Sequence, residues 1–220
     1  MFALLAAVML LDPLGEGAAG SLSPPASHRV PVAIAITRGT RAMDFAGPLE
    51  ALAMVRGMVE AAEPAFEVYT VGESRDSVTT VEGALQLIPD YTFEDAPVPR
   101  ILVIGSQERG PRLRAYARQI YQDPSNDLVL SVRSASATRA GAGRPVPKLE
   151  ELLRVLPPLP REKGPPYVRL DSKTFYAPDV SAGIDLALHV VQLYFGDAVA
   201  DQTARKLERS GGRWKNPPAS

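Results

Sequence analysis

Short apolar runs rich in β-branched residues, set apart by helix-length or turn-rich stretches, dictate what this chain can fold into. Val30-Pro-Val-Ala-Ile-Ala-Ile36 and Asp127-Leu-Val-Leu-Ser-Val132 carry apolar residues at both parities. That pattern belongs to strands covered on both faces, as in a parallel sheet, and not to strands with one wet face. Phe66-Glu-Val-Tyr-Thr-Val71 and Arg100-Ile-Leu-Val-Ile104 are read as further strands. Between the first two strands, a turn at Arg38-Gly39-Thr40 leads to a helix over Phe45–Val55, with Asp44 ahead of it and Pro48 in its first turn, a position that tolerates proline. A hairpin is expected from Val78–Val81 and Ala84–Ile88 around Glu82-Gly83, and a second helix between Gly105-Ser106 and about Gln122. Strands alternating with helices predict a doubly wound α/β sandwich, a mostly parallel sheet flanked by helices. In that architecture ligands bind beyond the carboxyl ends of the strands, so a site is expected near Asp44, Gly105 and Arg133.

The remainder of the chain is less regular. From Pro145 to Pro178 the sequence is dense in proline, so regular structure there must be short. A brief helix is expected over Lys148–Leu156, and a small hairpin from Tyr167–Leu170 and Lys173–Tyr176 around Asp171-Ser172. Ser181–Phe195 then forms a strong helix, with Ser181 as its cap candidate, Asp185 suited to its dipole and Gly196 as its stop. A last helix follows over about Asp197–Glu208. At the other end, Met1–Leu11 is apolar enough for a secretory core and too short for a bilayer, which needs ~20 apolar residues. No Lys or Arg precedes it and Asp12-Pro13 follows it, which leaves the compartment open between export and the cytoplasm. Leu14–Arg29, rich in Gly, Ser, Pro and Ala, is read as a linker without a burial pattern. The chain thus divides into a leader and linker (1–29), an α/β domain (30–208) and a tail (209–220).

Composition limits the chemistry. Against 25 Asp and Glu stand 24 Lys and Arg, a formal net charge of −1; this excludes a polybasic nucleic-acid binder, and direct nucleic-acid contact is not expected. Cysteine is absent from all 220 residues, which removes disulfides, thiolate metal sites and thiol nucleophiles together. Two histidines, His28 and His189, cannot form a histidine cage or a double-histidine relay. His28 belongs to the linker; His189, inside an apolar helix run, is read as a core or interface residue. Neither a metal nor a cofactor is expected.

Val32–Ile36, Met43-Asp-Phe-Ala-Gly-Pro-Leu-Glu50, Ile101–Gly105, Leu130-Ser-Val132, Val180-Ser-Ala-Gly-Ile-Asp-Leu-Ala-Leu188 and Tyr194-Phe-Gly196 together resemble the ThiJ/PfpI superfamily. The resemblance runs over most of Val30–Lys215. Its most telling pieces are the D-x-x-G-P-x-E helix start and the S-A-G-I-D-L-A-L helix. It implies a flavodoxin-like, class I glutamine-amidotransferase-like fold, and a cysteine on a strained elbow between a strand and a helix, where the helix N-terminus lowers the thiol pKa. The elbow in this chain reads Ser131-Val132-Arg133-Ser134-Ala135-Ser136. Arg133 therefore stands at the nucleophile position, and a guanidinium that stays protonated cannot attack carbon. Gly105-Ser106 stands where the family has a glycine pair, and Gly141–Val146 is shorter than the family's histidine-bearing segment and has no histidine.

Each candidate has a plainer reading beside it. Asp44 matches the family's acidic partner of the nucleophile, but without the thiol an Asp ahead of a Gly-Pro helix start reads first as an ordinary helix cap. Arg133 either binds an anion or pairs with Asp44, or turns to solvent. Ser134 has no evident base. Gly105, Ser106 and Ser134 remain as binding candidates. Arg205-Lys206 and Arg213-Trp214-Lys215 are read as a solvated tail around one docking aromatic. The expected function is that of a catalytically degenerate member that binds a small, anionic molecule or serves as a structural homodimer. The alternatives are a hydro-lyase resembling isonitrile hydratase, with Asp44 polarising water, and a ligand-sensing relative of arabinose-regulator-type transcription factors without its DNA-binding domain. The compositional break over Arg133–Val146 reads either as adaptation or as a local frame disruption.

Overall fold

A computed structural model describes residues 22–27, 29–59, 64–132, 166–209 and 211–215. The leader, His28, Arg133, Ser134 and the expected helix Lys148–Leu156 lie outside the described residues. The strands are β1 (Arg29–Ala35), β2 (Ala65–Gly72), β3 (Val78–Thr79), β4 (Gln86–Leu87), β5 (Tyr91–Thr92), β6 (Ile101–Ile104), β7 (Leu128–Val132), β8 (Val168–Arg169) and β9 (Thr174–Ala177). The helices are α1 (Ala42–Ala53), α2 (Pro111–Gln122) and α3 (Val180–Lys206), with single 3-10 turns at Met54–Gly57 and Arg213–Lys215.

Among the described residues, β5-β2-β1-β6-β7-β9-β8 form one seven-stranded sheet, and β3-β4 a separate two-stranded hairpin. Every neighbouring pair in the large sheet is parallel except β8–β9. The chain therefore has the doubly wound α/β architecture, with β1 and β6 inside the sheet and the carboxyl ends of β1, β6, β7 and β9 on one edge. The burial of β6 and β7 is complete at both parities, as strands covered on two faces require.

One face carries α1, α3, Phe66, Tyr167 and Trp214; the other carries α2 with Tyr69, Leu102, Tyr116 and Tyr176. The two motifs that suggested a family meet on the first face. A Cβ added to Gly47 would lie 2.9 Å from the Ile184 side chain, and one added to Gly183 would lie 2.6 Å from Val132 Cγ1 and 3.6 Å from Pro48. Glycine is needed at both places for α1 to cross α3 and for α3 to rest on β7.

Several local expectations are corrected. Helix α1 begins at Ala42, so Asp44 is inside its first turn and is not its cap. The cap of α3 is Asp179, whose side chain accepts the Ala182 N–H at 2.8 Å, and not Ser181. Leu22, in the stretch read as linker, packs on the core and donates its N–H to the Leu193 carbonyl at 2.8 Å. Gly196 interrupts α3 with φ 77° and ψ 178°, as a helix stop there requires, although the chain continues as helix beyond it. The tail aromatic docks: Trp214 is 1% exposed, and Lys215 pairs with Asp201 at 2.8 Å. No helix among the described residues is long and apolar enough to cross a membrane.

Candidate functional site

Two loops leave the same edge of the sheet side by side, one from β1 into α1 and one from β6 into α2. They are bonded to each other at several points. Arg41 N–H donates to the Ser106 carbonyl (3.0 Å), and Glu108 N–H to the Arg38 carbonyl (2.8 Å). Gln107 reaches back between them: its Oε1 accepts the Thr37 N–H at 2.7 Å, and its Nε2 donates to the Ala35 carbonyl at 3.1 Å. A side-chain amide thus supplies the donor and acceptor that a neighbouring strand would have offered past the end of β1. The Thr37 hydroxyl donates to the Glu108 carbonyl at 2.9 Å. Gly39 makes the turn with φ 72° beside Glu108.

Asp44 sits at this junction and is 0% exposed. Its Oδ2 accepts the Ser106 N–H at 3.2 Å. Gly105 permits the approach: a Cβ there would stand 3.2 Å from Asp44 Cβ, closer than side chains normally pack. Asp44, Gly105 and Ser106 are thereby brought together. The chemistry of the group is specific. A backbone N–H at this loop is the kind of donor that would steady a developing oxyanion, and here it is directed at a carboxylate of the same chain. Strand β7 ends at Val132 on the same edge, between β6 and β9, so the chain leaves the sheet at position 133. Arg133 and Ser134 themselves lie outside the described residues.

The β3–β4 hairpin adjoins the site through Val81 N–H, which donates to the Thr40 carbonyl at 2.9 Å. From that hairpin Glu82 is held below the usual carboxylate range, first by its own backbone N–H and also by the Ala42 N–H and Arg41. Gln107 and Thr37 were not singled out from the sequence; their contacts join positions 70 residues apart, and no local pattern marks them. His189 is a buried core residue, stacked on Tyr167. Among the described residues no group of three or more His, Cys, Asp or Glu gathers to hold a metal ion.

No protein-family model matches the sequence, and no curated protein matches it. Solved structures do. A ThiJ/PfpI family protein from Pseudomonas syringae aligns with a TM-score of 0.60 and 18% identity over 87% of this chain and 78% of that one. DJ-1 from Toxoplasma gondii, in its oxidized form, gives a TM-score of 0.57 and 13% identity over 83% of this chain and 100% of that one. The fold is that of the ThiJ/PfpI and DJ-1 proteins. An AraC family transcriptional regulator from Pseudomonas putida shares it, with a TM-score of 0.55 and 15% identity over 80% of this chain and 98% of the solved chain. Within the ThiJ/PfpI fold, the edge that carries Asp44, Gly105, Ser106 and the end of β7 is the carboxyl edge, where doubly wound sheets bind their ligands.

Proposed function

We propose that this chain is a ThiJ/PfpI-superfamily member that has lost the thiol step and works by binding a small, anionic molecule at the carboxyl edge of its sheet, as a homodimer. The observation that carries the reading is the absence of cysteine from all 220 residues, in a fold whose expected nucleophile position, directly after β7, is occupied by Arg133. A guanidinium cannot act as nucleophile or general base near neutral pH, whereas it binds carboxylates and phosphates through paired N–H donors. The commitment of the Ser106 N–H to Asp44 supports the same reading, since it satisfies internally a donor that acyl or carbonyl chemistry would draw on.

Turnover of isonitriles and of α-oxoaldehydes, measured on the wild type and on Arg133→Cys, tests this. The wild type is expected to turn over neither, and Arg133→Cys to gain measurable turnover of one of them. Wild-type turnover that falls on Asp44→Asn would instead establish the second reading, a hydro-lyase in which Asp44 polarises water; the burial of that carboxylate at the site favours it. A sensing role akin to that of the Pseudomonas putida regulator is the third, supported by likeness of fold, and would show as ligand binding without turnover that alters a partner's affinity for DNA.

A further inference from the structure

Histidine occurs twice in this chain, and one of the two is built into a joint. His189 lies on the first half of α3, 4% exposed. Tyr167 stacks on its ring, with centroids 5.1 Å apart and planes at 27°, and Phe175 meets it edge-on at 5.8 Å. Gln192 fixes the tautomer. Its Nε2 donates to Asp197 Oδ1 at 2.7 Å, and an ionised carboxylate can only accept, so its Oε1 must face His189 Nδ1, at 3.1 Å. Nδ1 therefore carries the proton, and Nε2 is the nitrogen left to take a second.

The surroundings oppose that second proton. Burial, first of all, holds His189 below the ordinary imidazole range; Gln192 acts in the other direction, and the Arg169 guanidinium acts with burial. From β8, Arg169 lies 5.7 Å over the Phe175 ring and is fixed to the Asp171 and Ser172 carbonyls. On α3 itself, Asp185 stands one turn before His189 and is committed to Arg209 at 2.7 Å, and Asp197 acts through Gln192. From the turn Arg213–Lys215, Lys215 is paired with Asp201.

The same rings hold the carboxy-terminal cap in place. Tyr167, which covers His189, donates its hydroxyl to the Trp214 carbonyl at 2.8 Å, and Trp214 is 1% exposed. We propose that His189 is an acid-operated latch, whose protonation releases the Tyr167–Trp214 pair and the β8–β9 hairpin from α3. Above the ordinary imidazole pKa of ~6.5 the ring is neutral whether the cap is docked or released, and docking keeps its full stability. As pH falls below that value the released ring, standing in water, takes its proton before the docked one does, so acid favours release. The release reaches the candidate site, because Tyr176 and Ala177 of β9 pair with Ser131 and Val132, the last residues of β7. The latch does not depend on what the site binds.

Trp214 is the single tryptophan of the chain, so intrinsic fluorescence reads the cap directly. Titrating the full chain from about pH 8 to pH 5 is expected to shift wild-type emission to the red while far-UV dichroism holds. His189→Gln is expected to remove the shift. Arg169→Gln is expected to weaken it, because the docked ring then accepts its proton more readily. NMR titration of the two wild-type imidazoles, assigned with His28→Gln, is expected to find His189 below its ordinary value, and it decides the matter even if His189→Gln fails to fold. The proposal is overturned by a wild-type emission that does not move, by an equal shift in His189→Gln, or by a His189 resonance that titrates at the ordinary ~6.5.

Discussion

The two faces of the sheet are covered in different ways. On the α2 face, Leu113, Tyr116, Ala117 and Ile120 form a single apolar stripe on a helix otherwise turned to solvent. They rest on Ala33, Ala35, Leu102 and Ile104, and rings fill the margin, with Phe93 stacked on Tyr116 at 4.6 Å and the Tyr69 hydroxyl donating to the Pro97 carbonyl at 2.6 Å. On the other face α1 and α3 touch each other as well as the sheet. Residues Asp185 to Val191 are buried without a break, and the contacts run through glycine. The α2 face is an amphipathic cover that side chains can adjust. The α1–α3 face is a large apolar core with close approach at two glycines, Gly47 and Gly183, and α1 on this face carries Asp44 to Ser106.

The largest expected effects come from opening a cavity on each face. Leu186→Ala on α3 and Ile120→Ala on α2 both truncate buried side chains, and each is expected to lower the free energy of urea unfolding by ~2–5 kcal/mol. Hydrogen exchange separates them: only Leu186→Ala should speed exchange of the Ser106 amide, and equal acceleration by Ile120→Ala would erase the distinction between the faces. Next comes Gly183→Ala, whose methyl would meet Val132 Cγ1 at 2.6 Å; overpacking there is expected to destabilise by ~1–3 kcal/mol. Gly57→Ala, where nothing lies within 4 Å, should leave thermal stability unchanged or raise it slightly. Asp179→Ala, which removes the α3 cap, is expected to lose about 1 kcal/mol, while Ser181→Ala should not move the melting temperature; the reverse ranking would return the cap to Ser181. The smallest effect is at the surface. Arg75 pairs with Asp95 at 2.8 Å, but both side chains are about half exposed, and Arg75→Ala should leave no measurable change in melting temperature.

How much of this was legible in the chain differs between elements and joints. Strands β1, β2, β6 and β7 are marked by local runs of β-branched and apolar residues, and both hairpins by polar turns between short strands, so their positions follow from nearest neighbours along the chain. Strand β5 was not anticipated. Tyr91–Thr92 has no apolar run of its own, and it joins the sheet by parallel pairing with Val71 and Gly72, a contact with no local signature. Asp44 illustrates the same limit at the site. The architecture led one to expect it near Gly105. Its position inside the first turn was not expected, because the residue ahead of α1 is held by a partner far away in sequence, the Ser106 carbonyl that accepts the Arg41 N–H. Asp179 displaced Ser181 as cap for a similar reason of competition, since either oxygen-bearing side chain suits the start of that helix. Gln107 was invisible because an amide side chain standing in for a strand resembles any polar loop residue until the two loops are seen together.

The bare crossing of α1 over α3 has a mechanical consequence. Where a bare Cα is pressed against a packed side chain, as Gly47 is against Ile184 and Gly183 against Val132, there is little free space to take up a shift. Pro48, Gly183 and the Val132 side chain lie in direct succession, and Pro48 is one turn along from the buried carboxylate. The helix that carries Asp44 and the end of the seventh strand are therefore joined by one short run of contacts, on the edge where the chain leaves the sheet.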